Sequence, residues 1–399
     1  MKFNELSSNI KYKLTCSFIN RMIASTIFPF IVVIINNMFD KQKASIIIVI
    51  GVIFQITSTI AGGILADSIG RKKILLFGQM CNLICACFIS VILLFNLNKD
   101  IFLLFYLTNT LFGNIHASAK DALILDGIDK KERQKIYSLD YWITNLTTAI
   151  GLIIGSLFVI NHLPILYTLL SLATAYTIYI YQFKIQYNCS METPGIKKKL
   201  INISDIRVIL KDKNYLYLLI GTVLIFSVEL GFSTVMSLHM YTHFNDINIL
   251  GFTLTGINQF SMFQIINMAI IVFFSNSITN KVIMFNKNKI LFAVASIVNV
   301  IGYLITMISN NLPLMIFFLL IVAFAEIIYA PIRQLAQVNL IPNNSKALYF
   351  GISSTFFQFS NLLTSIYLIL YDLTDINTIA IIIGLFGLIG IKMISKYIQ

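Results

Sequence analysis

The sequence predicts an all-α polytopic membrane protein, with twelve transmembrane helices in two pseudo-symmetric six-helix bundles. Three observations carry that expectation. The 399 residues are 57% hydrophobic and only 12% charged, with a mean hydropathy of +0.83, whereas soluble domains carry about 25% charged residues. The apolar residues fall into runs of the roughly 20 residues that cross a bilayer as a helix, and the length admits about twelve of them. Lys and Arg are strongly biased to one side of those runs, so the formal charge of +12 reflects membrane orientation rather than a nucleic-acid partner. Only helices satisfy the backbone in unbroken apolar runs of this kind.

In chain order, spans are expected at 14–35, 44–66, 74–94, 101–125, 138–159 and 164–183, which form an N-terminal bundle over 1–183. Residues 184–214 are the longest polar segment, with Pro194, Gly195 and Lys197-Lys198-Lys199, and form a basic cytoplasmic linker in which 201–210 suits an interfacial helix. The C-terminal bundle over 215–399 has spans at 215–240, 254–276, 290–308, 312–333, 349–371 and 376–398. Six plus six around a basic middle is the sequence form of two repeats about a pseudo-twofold axis. A weak echo supports it: Ile136-Tyr137-Ser138 precedes a span in the first half, and Leu348-Tyr349-Phe350 does so in the second.

The basic residues orient the chain. On one side the N-terminus carries three, the loop at Gly70 three, 120–135 five, the middle linker seven, the next two loops three and two, and the C-terminus two. Arg333 is counted in the last of those loops, as the end of the tenth span. The other side has only Lys41, Lys43 and Lys99, and Arg21 lies within a span. Both termini are therefore expected in the cytoplasm. The five cysteines, Cys16, Cys81, Cys85, Cys87 and Cys189, suggest neither a disulfide framework nor a zinc site. No removable signal peptide is expected ahead of the first span.

Residues 63–73, Gly-Ile-Leu-Ala-Asp-Ser-Ile-Gly-Arg-Lys-Lys, join the second span to the third. Gly63 permits close helix approach, Gly70 a sharp turn, and Arg71, Lys72 and Lys73 hold the turn in the cytoplasm. Asp67, at a helix end, needs a partner.

Charged groups at membrane depth are expensive and mark function by default. Glu326 lies mid-span in Ala325-Glu326-Ile327, and Glu229 in Val228-Glu229-Leu230. Each can carry a proton or attract a cation, or can be a neutral acid bonded to a neighbouring helix. Arg21, early in the first span, can bind an anion, pair with an acid, or snorkel to the surface. His116 can relay protons or serve as hydrogen-bonded structure. Asp140, in the expected first turn of the fifth span, also suits a cap. Asp126 closes the fourth span. No Gly-rich phosphate loop, Ser/His/Asp set or metal spacing is present, so neither an enzyme nor a cofactor or metal is expected.

The Gly63–Arg71–Lys72 motif, Asn20-Arg21-Met22 with Pro29-Phe30, Ala122-Leu123-Ile124-Leu125-Asp126, and Glu326 with Pro331 resemble the major facilitator superfamily, and within it the LmrP-type proton-coupled multidrug antiporters. The resemblance implies that Asp67 braces the start of the eleventh span, that Arg71 engages Asp126, and that proton coupling and substrate binding use Asp140, Glu229 and Glu326, with Arg21 beside them. One motif departs from the family pattern. The antiporter motif Gly-x-x-x-Gly-Pro-x-x-Gly-Gly stands here as Thr147-Thr148-Ala149-Ile150-Gly151-Leu152-Ile153-Ile154-Gly155-Ser156, without its proline and two glycines. The expected function is export of lipophilic, cationic small molecules in exchange for protons, by a plasma-membrane monomer whose partners are substrate, protons and the lipid bilayer. The alternatives are proton-coupled movement of a polar or anionic metabolite anchored by Arg21, and a non-transporting sensor.

Overall fold

The computed structural model describes residues 8–116, 119, 133–185, 211–249, 252–283, 288–341 and 346–398. Over these residues the chain is almost entirely helical. The first span is broken: α1 (Ser8–Ala24) gives way to a 3-10 turn at Phe28–Phe30 before α2 (Ile31–Met38). Pro29 explains the break, because it has no N–H to continue the ladder. α3 (Lys41–Ile69) ends at Gly70, whose φ of +111° only glycine adopts readily, and α4 (Arg71–Leu94) starts at the next residue. The sharp turn expected at Gly70 is thus a single residue. Arg71, Lys72 and Lys73 are the first turn of α4 and not a loop.

α5 (Lys99–Gly113) is capped by the Asn98 side chain, which accepts from the Asp100 N–H at 2.8 Å. α6 (Arg133–Phe158) and α7 (Leu163–Tyr179) follow, and α7 closes in a π turn at Ile180–Lys184. The second set is α8 (Lys213–His243), α9 (Gly256–Ile283), α10 (Asn288–Ile308), α11 (Leu312–Leu340), α12 (Lys346–Leu373) and α13 (Ile376–Ser395). A two-stranded antiparallel ribbon, β1 (Ile247–Ile249) and β2 (Phe252–Leu254), joins α8 to α9, with Ile247 opposite Leu254. The eighth span therefore begins at Gly256, after a strand over 252–254.

With α1 and α2 counted as one span, the segments number twelve, and among the described residues nine are long and apolar enough to cross a membrane. The chain is a multi-pass membrane protein. The expected helix at 201–210 lies outside the described residues, as does the end of the fourth span.

Two compact units emerge. One comprises residues 1–28 and 50–202, the other 29–49 and 203–399. The break at Phe28–Phe30 coincides with the boundary, and α2 packs on α8 within the second unit.

In a bilayer, helices associate by close packing rather than by a hydrophobic drive, so small residues mark the crossings. In the first unit α4 packs on α5 and α7, and α1 on α6 and α7. A Cβ built at Gly62 would come 2.3 Å from the Ile115 carbonyl oxygen, one at Gly78 2.8 Å from the His116 Cβ, and one at Gly151 2.5 Å from the Met22 carbonyl oxygen. In the second unit α8 packs on α12 and α13, α10 on α11 and α13, and α9 on α11. There Gly221 and Gly390 face each other, so that a Cβ on Gly390 would meet the Gly221 carbonyl oxygen at 2.8 Å.

Candidate functional site

The first unit gathers its polar groups where α1 crosses α6. Arg21 Nη2 donates to Asp140 Oδ2 at 3.2 Å, and Arg21 Nη1 donates to the Asp140 carbonyl oxygen at 3.4 Å and to the Thr144 hydroxyl. Ser17 donates to the other carboxylate oxygen of Asp140 at 3.5 Å. One residue before Arg21, Asn20 donates to Thr177 on α7 at 3.3 Å, and Thr177 donates to Gln79 on α4 at 2.7 Å. Gly151, about three turns along α6 from Asp140, lets the backbones of α1 and α6 approach. Of the residues in the altered antiporter motif, this glycine has a visible use.

One expectation is corrected here and one set of alternatives is narrowed. Asp140 is not a first-turn cap: α6 already runs from Arg133, and the carboxylate faces α1 at a point where its partner is Arg21. Of the three roles open to Arg21, the structure displays pairing with an acid. Each side chain retains about a third of its exposure, 30% and 28%.

The second unit holds a different cluster. Glu229 lies on α8 and Glu326 on α11, and Asn267 on α9 donates to Glu326 Oε2 at 3.5 Å. The Oδ1 atom of Asn267 is buried and has no hydrogen-bond partner among the described residues. Tyr303 on α10, 3% exposed, packs with its ring tilted 40° against Phe232 of α8, the ring centres 4.8 Å apart. Arg333 completes the group: its Cζ lies 4.5 Å from the centre of the Phe226 ring on α8. α8 and α11 are in contact, which puts Glu229 of one and Glu326 and Arg333 of the other in one cluster.

Arg333 is the functional residue that sequence reasoning missed. Ending the tenth span at residue 333 puts Arg333 among the basic residues of the loop that follows. In fact α11 continues past Pro331 to Leu340, and Arg333 is 6% exposed. The available signal was spacing: Arg333 follows Glu326 by seven residues, two turns on the same helical face. Pro331 between them leaves the Ile327 carbonyl without its helical donor, an irregularity typical of working sites in membranes. Asn267 carried no sequence signal beyond being a polar residue in an apolar helix.

The remaining predicted residues are dispersed. Lys72 Nζ donates to the Gln182 carbonyl at 3.2 Å, a cation on the end of the π turn that follows α7. Arg71 opens α4 and is partly buried, and Gly70 forms the turn. Gly63 lies in α3, where the close approach displayed is that of its neighbour Gly62. The Asp67 side chain and all of Asp126 lie outside the described residues. His116 packs against Gly78 at a helix crossing.

Comparison with known proteins agrees with this architecture. A family model described as Major Facilitator Superfamily matches residues 14–365. A Na(+), Li(+), K(+)/H(+) antiporter of Planococcus maritimus is 22% identical over 378 residues, covering 89% of this chain and 87% of that protein. Among solved structures, a POT family transporter in complex with 5-aminolevulinic acid superposes with a TM-score of 0.73 at 16% identity, over 99% of this chain and 98% of that one. A D-xylose-proton symporter gives 0.69 at 11% identity, over 98% and 96%. At such identities the structures establish a shared fold. The family match, spanning most of the chain, establishes membership: this protein belongs to the major facilitator superfamily of membrane transporters.

Proposed function

We propose that the protein is a secondary active transporter that exports lipophilic cationic small molecules in exchange for protons, by alternating access. The observation that carries this reading is the charge imbalance of the second unit, where Glu229 on α8 and Glu326 and Arg333 on α11, a helix packed on α8, set two carboxyls against one guanidinium. Buried charge that is not fully compensated costs several kcal/mol per ion, so the cluster favours uptake of a further positive charge. Phe226 and Tyr303 supply aromatic faces of the kind that hold organic cations. In the cycle, cation enters from the cytoplasm or inner leaflet while Glu326 and Glu229 are ionised, and protons from outside then neutralise them and expel it. Gly63, Asp67, Gly70, Arg71, Lys72 and Asp126 bias which side is open, and Asp140 with Arg21 positions α1 against α6. The transporter works as a monomer in the plasma membrane, with both termini cytoplasmic and with substrate, protons and the lipid bilayer as partners.

The Planococcus relative favours a second reading, in which the same acids exchange protons for an alkali cation. The reading in which Arg21 anchors an anionic metabolite is weakened by the Asp140 carboxylate already on that guanidinium. Fluorescence dequenching of a pH dye in everted vesicles separates the three. Proton movement triggered by ethidium and abolished by Glu326→Gln supports organic-cation exchange, and the same pattern with sodium alone supports the second reading. Loss on Arg21→Ala with Glu326→Gln intact contradicts both and supports the anion.

A further inference from the structure

A guanidinium is the group a cation carrier has least apparent reason to bury beside its acids, since it repels the cargo. Yet Arg333 is 6% exposed and its Cζ lies 4.5 Å from the Phe226 ring centre. Phe226 precedes Glu229 by three residues on α8, and Arg333 follows Glu326 by seven on α11, so helical periodicity sets the guanidinium on the face of each acid. Beside Glu326, the buried Oδ1 of Asn267 is an acceptor that no described residue uses.

We propose that Arg333 fixes the capacity of this seat at one positive charge beyond its own, so that the transporter accepts monocations and rejects dications. The inference rests on the cation-exchange reading and narrows its cargo. With Glu229, Glu326 and Arg333 all ionised, the seat carries one net negative charge. One proton on a carboxylate neutralises it, and so does one monovalent cation. Entry of the cation breaks a single carboxyl O–H bond, the proton leaves to water, and the seat stays neutral. A dication would leave a net buried positive charge with Arg333 alongside, which the low dielectric penalises heavily. Without Arg333 the two acids could hold two protons or one dication.

The test uses two dyes with the same phenanthridinium ring, ethidium with one positive charge and propidium with two. Each is titrated into the purified full-length protein in detergent, with an indicator counting protons released. Wild type is expected to release about one proton per ethidium and to bind propidium at least about tenfold more weakly. Arg333→Gln should narrow that preference by at least about tenfold and release two protons per propidium, while Arg333→Lys keeps the wild-type order. Should Arg333→Gln fold poorly, the paired change Glu229→Gln with Arg333→Gln removes one charge of each sign together. It should recover the ethidium binding that Glu229→Gln alone loses. A preference unchanged in Arg333→Gln, or a paired variant no better than Glu229→Gln, overturns the proposal. A wild type that binds neither dye contradicts the organic-cation reading instead. The charge limit is then counted with sodium against calcium, and equal proton release by both overturns it.

Discussion

The two units answer the problem of charge at membrane depth in opposite ways. In the first, Arg21 and Asp140 are matched one to one and share hydrogen bonds with Thr144 and Ser17, so the pair closes on itself. In the second, Glu229 and Glu326 outnumber Arg333, and Asn267 keeps an acceptor in reserve. A balanced pair has nothing left to offer a ligand and acts on helix position. An unbalanced cluster has a standing affinity for positive charge, and that is what exchange requires. The difference teaches where to look in such a chain: the working site is the cluster whose charges do not add to zero.

The comparison breaks most visibly at Glu326. Replacing it with Gln should reduce cation-triggered proton movement to the level of protein-free vesicles, measured with an interior pH dye, while leaving expression unchanged. The next effect is at the crossing that carries the balanced pair. Gly151→Val would force a side chain against the Met22 carbonyl, 2.5 Å from the Cβ position, and should cost about 1–3 kcal/mol or more, seen as a lowered midpoint in thermal unfolding in detergent.

The pair itself should behave as a pair. Arg21→Gln and Asp140→Asn are each destabilising, and the double variant should fall short of their sum by about 1 kcal/mol. The coupling is held to that size because the two side chains remain 30% and 28% exposed. If the same cycle on Glu229 and Arg333 gave full additivity, the second unit would hold no charge cluster and the distinction between the units would fail.

The smallest effects lie at the caps. Asn311 accepts from the Leu314 N–H at 3.1 Å, and Asn311→Ala should cost about 1 kcal/mol without changing transport. Asp375 caps α13 by accepting from Thr378 and Asn377, and the Thr378 hydroxyl above all holds its carboxyl below the usual 3.8. Its contribution is therefore present above that value and is lost as pH falls through the lower folded value. In Asp375→Asn, acid unfolding should be slightly less steep over that range.

Much of this was legible in the sequence for a single reason: charge and glycine are rare and costly in a bilayer, so their positions speak loudly. The turn at Gly70 and the depth of Glu229 and Glu326 follow from that rarity. Arg333 was hidden because it stood as the last residue of a span expected at 312–333, whereas α11 runs on to Leu340 with Pro331 tolerated in its interior. Asp140 was misplaced by the same kind of boundary error, since α6 already runs from Arg133, in polar sequence. Asn267 matters only through its distance to Glu326, which no periodicity reveals. Gly151 stood in a motif that had lost its proline, and its closeness to Met22 is a fact of packing.

The most direct measurement is of proton movement in proteoliposomes that hold the purified protein and a trapped pH dye, with no pH gradient imposed. Adding ethidium outside should alkalinise the lumen, because inward dye movement in either protein orientation drives protons out, and Glu326→Gln should abolish the change. Ethidium accumulation without any lumenal pH change, or an equal pH change in Glu326→Gln, would contradict proton exchange at the acids of the second unit.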